Sequence, residues 1–314
     1  MKVLVFSHIS DIDGMGPIIL ANLAFDQVDY ELVGYNDINN KIKQKINDES
    51  IYSYDKVLVT DICVQKPLID EISENKKLSQ LFQIIDHHET AIQQGLNNYP
   101  FSYIKTEDEN GLCSGTSLFY EYLLKHKLLE PNKQVFEFVE LTRRHDTWEW
   151  KNIYNDYKAD DLAQLFNALG TWHYIHNMIT KLQYKVEHFE FDYEERKKID
   201  DYRKLVETKC KSCADNIMLI NFDNIKFGIG EIEHKFRNDI AQYLRDIQYD
   251  VDVLVLPDFK KKTCSFRTIN NQVNVMDFAS KYGGGGHPYA SACPLSDKLM
   301  LDLNINQYLN QEKE

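Results

Sequence analysis

The sequence predicts an α/β protein of two domains, a parallel sheet in the first and a smaller α/β unit in the second. Three observations lead there. Short β-branched-rich runs alternate with segments of helical spacing through the first hundred residues. A long stretch to about residue 211 is then helical and increasingly charged, and beyond it the alternation resumes on a smaller scale. At 314 residues the chain is long enough for two cores, because a domain takes roughly 100–200 residues.

Element by element, residues 2–7, 30–35, 56–60 and 81–85 read as strands, with helices at 17–25 and 39–46 between them. Strand and helix in alternation give a parallel sheet covered on both faces. From 115 to 211 apolar residues recur three and four apart, as in Val135, Phe138 and Val139 followed by Thr142, the signature of a helical cap or connector. Residues 191–212 form its charged, amphipathic end and read as a helical linker, leaving a first domain over 1–190 and a second over 213–314. In the second domain 216–220, 225–228, 251–256 and 262–267 read as strands, and 234–248 and 276–281 as helices.

Composition excludes several classes of function. With 43% hydrophobic and 27% charged residues the chain is globular. Its 36 basic and 49 acidic residues leave a net charge of −13, most of it before residue 213. A protein that coats long duplex nucleic acid needs a basic face to displace counterions, so that role is excluded, whereas a short phosphorylated substrate met by metal ions is not. The apolar runs fall short of the ~18 residues of a membrane helix, so no membrane partner is expected. The opening Met1-Lys2-Val3-Leu4-Val5-Phe6 is too short for a secretory leader. A cytoplasmic protein is expected, its six cysteines reduced and Cys210 and Cys213 incidental buried thiols.

The chemistry lies in the first domain. His8, Asp11 and Asp13 follow the first strand, Asp61 the third, Asp86, His87 and His88 the fourth, and Asp146 ends a helical segment. Beyond the carboxyl ends of parallel strands the first three groups converge on one crevice, to which the fold must bring Asp146. So many carboxylates in one place repel each other unless cations neutralise them. Carboxylate and imidazole ligands without thiolate suit manganese or a similar ion. Two such ions ~3.5–4 Å apart can share a bridging aspartate and clamp a phosphoryl group during in-line attack. Trp148 and Trp150, beside Asp146, read as core anchors.

These residues resemble the DHH phosphoesterases. The run Ile84-Ile85-Asp86-His87-His88-Glu89-Thr90 resembles the signature that names the family. Asp11-Ile12-Asp13-Gly14, Thr60-Asp61 and His145-Asp146-Thr147-Trp148 are similar to its first, second and fourth motifs, in order. The run Gly283-Gly284-Gly285-Gly286-His287-Pro288-Tyr289-Ala290 resembles the signature of the associated DHHA domain, and Ser265-Phe266-Arg267 its strand motif. Two residues separate His8 from Asp11 where many members have three, and Ser291-Ala292 stands where alanine and glycine are usual.

The resemblance implies a DHH catalytic domain, a DHHA substrate-binding domain, and two divalent cations, manganese, as cofactors. His8, Asp11 and Asp61 would hold one ion and Asp13, Asp61, His87 and Asp146 the other, with Asp61 bridging. Asp86 would orient a ligand from behind, and His88 would face the substrate phosphate and assist the leaving oxygen. Arg267, Gly284, Gly285, Gly286 and His287 would bind substrate in the cleft between the domains. The glycines leave backbone N–H groups open to an anion, although taken alone the run also reads as a flexible turn. The implied activity is hydrolysis of phosphoester bonds in short oligonucleotides (nanoRNA) or a bisphosphonucleoside, of the 3'-5' exoribonuclease kind. Polyphosphate, pyrophosphate or cyclic-dinucleotide hydrolysis are the alternative activities, and a non-catalytic metal- and nucleotide-binding module or a homodimer also fits the sequence.

Overall fold

The computed structural model describes residues 1–109, 111–184, 186–270 and 273–311. The chain divides into two compact units, Met1–Tyr202 and Arg203–Glu314.

The first unit opens with β1 (Lys2–His8), α1 (Ile12–Ala24), β2 (Gln27–Val33), α2 (Ile38–Asn47), β3 (Lys56–Thr60), α3 (Lys66–Glu74), α4 (Lys76–Leu81), β4 (Phe82–Asp86), α5 (Glu89–Gln93) and β5 (Ser102–Ile104). The five strands form one sheet in the order β2-β1-β3-β4-β5, every pair parallel, with Val3 opposite Lys56 and Val57 opposite Phe82. Val3 and Val5 of β1 join Leu58 and Ile85 in one apolar core, while Leu4 and Phe6 join Val57, Val59, Phe82 and Ile84 in the other. That is why these strands read as unbroken apolar runs: both faces are buried. Ile38 and Ile42 of α2 and Leu68, Ile69 and Ile72 of α3 close the second core.

A two-residue pair, β6 (Glu107–Asp108) and β7 (Gly111–Leu112), leads into the helical layer of α6 (Gly115–Lys125), α7 (Lys133–Asp146), α8 (Tyr157–Leu169) and α9 (Thr171–Gln183). With α1 these helices bury the Val3, Val5, Leu58 face, through Phe119, Phe138, Leu162 and Tyr174 among others. The chain leaves β1 for β2 on one side and returns to β3 on the other, so strand order reverses between β1 and β3. The C-terminal edge at such a switch point is an open crevice.

Helix α10 (Tyr193–Asp215) carries the chain into the second unit: β8 (Met218–Phe222), β9 (Ile225–Ile229), α11 (Arg237–Asp246), β10 (Val253–Asp258), β11 (Thr263–Thr268), α12 (Val275–Ser280), β12 (Gly285–His287), β13 (Ala290–Pro294), α13 (Asp297–Asp302) and α14 (Ile305–Gln311). The sheet order is β12-β13-β11-β10-β9-β8. Only β9 and β10 run parallel. One face packs Phe227, Val253, Val255 and Phe266 on Val275, Phe278 and Leu299, and the other sets Leu254 and Leu256 against Ile240, Leu244, Cys210 and Cys213. All six cysteines are free thiols.

Strand limits moved by up to three residues from the sequence reading, β2 beginning at Gln27 rather than 30. β5 is a three-residue edge strand that no alternation announces. The last two glycines of the run are strand, Gly285–His287 forming the edge strand β12, while Gly283 lies in a turn before it. Among the described residues no helix is long and apolar enough to cross a membrane.

Candidate metal centre and active site

Four elements of the first unit deliver acidic and imidazole side chains to the C-terminal edge of the sheet. After β1 the chain turns tightly into α1, and Asp11 caps that helix by accepting the Gly14 N–H at 3.0 Å. The turn requires glycine at position 14, because a Cβ there would lie 1.9 Å from the His8 carbonyl oxygen. The Ser7 hydroxyl donates to the Gly14 carbonyl at 2.7 Å, and Thr60 Oγ1 donates to Ser7 Oγ at 2.9 Å, tying β1 to β3 beneath the site.

Asp13, 1% exposed, accepts the backbone N–H groups of Gly115 at 2.6 Å and Thr116 at 2.9 Å. These are the first residues of α6, so the free donors and positive end of that helix hold an aspartate 102 residues away in sequence. Asp61 follows β3 in a left-handed conformation, φ +54°, which a short polar side chain tolerates. Gly115 lies against it so closely that a Cβ would come within 2.4 Å of the Asp61 Cβ.

His87 sits at the centre. Its Nε2 is 3.2 Å from Asp61 Oδ1, 3.7 Å from Asp13 Oδ2 and 3.7 Å from Asp146 Oδ2. His8 Nδ1 is 3.4 Å from Asp11 Oδ2 and 3.9 Å from Asp61 Oδ2. The donor atoms of His8, Asp11 and Asp61 lie within 4.8 Å of one another, and so do those of Asp13, His87 and Asp146. The short spacing between His8 and Asp11 therefore still brings that histidine to the cluster.

Such a set cannot carry its full negative charge unaided. Burial, then the neighbouring Asp13, Asp11, Asp146 and Asp86, push the Asp61 carboxyl well above the usual range. Burial, with Asp13 and Asp11, pushes Asp146 up to about 9. Asp146 is also the last residue of α7, where the helix dipole is negative. Hard oxygen and imidazole donors in a site that resists its own charge fit divalent cations.

Asp86 is wholly buried. Its Oδ1 accepts the His87 backbone N–H at 2.9 Å and lies 2.7 Å from His88 Nδ1, so it fixes the His88 ring; Asp61, Asp86, His87 and His88 also offer donor atoms within 4.8 Å of one another. His88 Nε2 meets the Tyr35 hydroxyl at 3.1 Å, and the Tyr35 ring lies 4.9 Å from that of His8. Sequence reasoning placed Tyr35 only as the end of a strand. Nor did it find Gly115 and Thr116, whose backbone N–H groups do the work; the one local signal is the capping box of Ser114 and Ser117 that starts α6.

Trp148 is not a core anchor. It is 60% exposed, at φ +60°, because α7 ends at Asp146 and the chain reverses there before a π-helical turn over Trp150–Tyr154. Trp150 stays half-buried and lies nearly parallel to the His145 ring, at 6.2 Å and 11°.

In the second unit the strand register aligns Arg267 with Ala290, and Ala290 with His287. Paired residues point to the same side of a sheet, so Arg267 and His287 share a face with one small residue between them. The Arg267 Nε–H donates to Asn238 Oδ1 at 3.0 Å. The four glycines are not equivalent. Gly285 has open space where a Cβ would be, but Gly284 would meet the Ala292 carbonyl oxygen at 2.2 Å and Gly286 the Ala290 carbonyl oxygen at 2.6 Å. Those two let β12 lie against β13.

A parallel sheet with this switch point and this ligand set belongs to the DHH family of phosphoesterases, whose N-terminal domain matches residues 2–142, and the chain is a member of it. It is 30% identical over 300 residues to oligoribonuclease NrnB of Bacillus subtilis, covering 94% of this chain and 73% of that protein. Two solved structures share the fold. One is a pGpG-specific phosphodiesterase, PggH, from Vibrio cholerae, with TM-score 0.57, 15% identity, and 99% and 98% of the two chains covered. The other is RecJ from Thermus thermophilus in complex with Mn2+, with TM-score 0.55, 13% identity, and 100% of this chain and 52% of that one covered.

Proposed function

We propose that this phosphoesterase hydrolyses short oligonucleotides with two divalent cations, manganese, at the carboxylate and histidine cluster. The observation that carries the reading is the pair of ligand groups meeting at Asp61, His8 with Asp11 on one side and Asp13, His87 and Asp146 on the other. The substrate class draws support from the likeness to an oligoribonuclease along 94% of the chain.

His8, Asp11 and Asp61 would hold one ion and Asp13, Asp61, His87 and Asp146 the other. Bound there, the ions neutralise the carboxylates and polarise the phosphoryl group. The chain's residues do the rest. The α6 N-terminus and the glycine at 115 fix Asp13 and Asp61, so these two carboxylates are held in place within the fold itself. His88, held at Nδ1 by Asp86, would give its Nε2 proton to the leaving oxygen. Burial alone would lower the His88 pKa, but its bond to Asp86 together with the charges of Asp86, Asp13 and Asp11 outweighs that and raises it, which keeps the proton available. Arg267 and His287 would bind a phosphate of the substrate remote from the scissile bond.

A hydrolysis panel with manganese tests this, using oligoribonucleotides of two to five residues, bisphosphonucleoside, cyclic dinucleotide, pyrophosphate and polyphosphate. The oligoribonucleotides should give the highest kcat/KM. Preference for pyrophosphate or polyphosphate overturns the substrate class, and inactivity on all five overturns the catalytic reading.

A further inference from the structure

We propose that Tyr35 is a positioning residue for the reaction, its hydroxyl fixing the His88 imidazole so that Nε2 is presented to the leaving oxygen. This rests on the assignment of His88 as the group that assists departure. An imidazole on its own Cβ turns about two bonds, and a donor that must meet one oxygen loses efficiency with each wrong orientation. His88 is restrained at both ring nitrogens. Nδ1 lies 2.7 Å from the buried Asp86, and Nε2 lies 3.1 Å from the Tyr35 hydroxyl.

The phenol is itself held. Its ring packs at 4.9 Å and 47° on His8 and meets the edge of the His88 ring at 6.0 Å and 88°. Tyr35 thus braces both His8 and His88. At 48% exposure it does so from the open side of the site, opposite the buried Asp86. A hydroxyl both donates and accepts, so it can partner Nε2 with or without a proton and yield to a substrate oxygen when one arrives. Asp86 alone would fix one nitrogen and leave the ring free to tilt about that bond.

The test compares parent, Tyr35→Phe and Tyr35→Ala on two esters of one nucleotide, a dinucleotide with a ribose leaving oxygen and a 4-nitrophenyl ester that departs without a proton. Tyr35→Phe keeps the ring on His8 and loses only the hydroxyl. Its kcat on the dinucleotide should fall at least about tenfold with KM within about twofold, within the ~10²–10⁴-fold that acid assistance supplies. Its rate on the 4-nitrophenyl ester should match the parent. Tyr35→Ala should lose more on both, because His8 loses its packing. Equal losses of Tyr35→Phe on the two esters, or none, overturn the proposal.

A parent that cleaves neither ester defeats the functional reading without deciding this one, so a second measurement stands apart from activity. In the side-chain nitrogen NMR spectrum at fixed pH, the His88 ring should give one sharp pair of signals in the parent and broadened or doubled signals in Tyr35→Phe. Identical spectra overturn the positioning role.

Discussion

Asp61 occupies a left-handed backbone and touches Gly115 where no larger residue fits, so two side-chain choices far apart in sequence answer one geometric demand. Gly115→Ala should push Asp61 out of place. Overpacking a tight site costs about 1–3 kcal/mol, so the unfolding free energy from denaturant titration should fall by that much and activity should fall further than stability. Asp61→Asn keeps the polar side chain that tolerates this conformation, and should abolish turnover and reduce bound manganese as read by elemental analysis. Because a buried, crowded carboxyl is removed, its metal-free form should melt above the metal-free parent. A melting point below the parent would mean that Asp61 stabilises the empty site. At this scale the sequence was informative wherever a ligand directly follows a strand: Asp11, Asp13, Asp61 and the Asp86-His87-His88 run all stand there. Asp146 was legible as a candidate ligand after a helix, but its arrival at the site depended on the fold, since nothing local separates it from any acidic helix end. Tyr35, Gly115 and Thr116 were hidden because they act through a phenol brought from another loop and through backbone N–H groups, which no residue type announces.

The helices and strands divide the labour. Two helix N-termini, α1 and α6, hold Asp11 and Asp13, while the C-terminus of α7 brings Asp146. In the second unit β11, β13 and β12 set Arg267 and His287 in register on one face. Arg267→Ala and His287→Ala should each lower kcat/KM on a short oligonucleotide by one charge-assisted hydrogen bond, about 1.5–3 kcal/mol. A small chromogenic phosphodiester should be hydrolysed almost as well by these variants as by the parent. Equal losses on both substrates would make the face structural. The strands buried on both sides were legible as apolar runs, and the helical layer by its spacing. That Gly285 and Gly286 form strand was not legible, because glycine carries no pattern. Their pairing depends on β13 lying close enough to exclude a Cβ at positions 284 and 286.

The assembled molecule answers to pH through the same cluster. In the metal-stripped protein Asp61 and Asp146 titrate above the range of an unfolded carboxyl, near ~3.9, and Asp146 at about 9. Between those values the folded state keeps protons that the unfolded chain has lost, so stability falls as pH rises. Melting curves of stripped protein should therefore move down from pH 5 to pH 9. With manganese bound, the slope should flatten over the same interval. A stripped protein whose melting point climbs with pH would contradict the raised carboxyl values.

The bonds from Gly115 and Thr116 to Asp13 join residues more than a hundred positions apart, and that separation sets an order of events in time. Until α6 has docked, Asp13 has no fixed place, and the ligands exist only as scattered carboxylates on a chain still searching for its contacts. A cation therefore meets its site after the slowest loop has closed and cannot serve as the seed of folding. Manganese should leave the refolding rate in stopped-flow measurements nearly unchanged and slow unfolding by the full factor of its binding. A cation bound there would act as a latch on a finished structure, and a protein stripped of it should be lost by faster opening rather than by slower assembly.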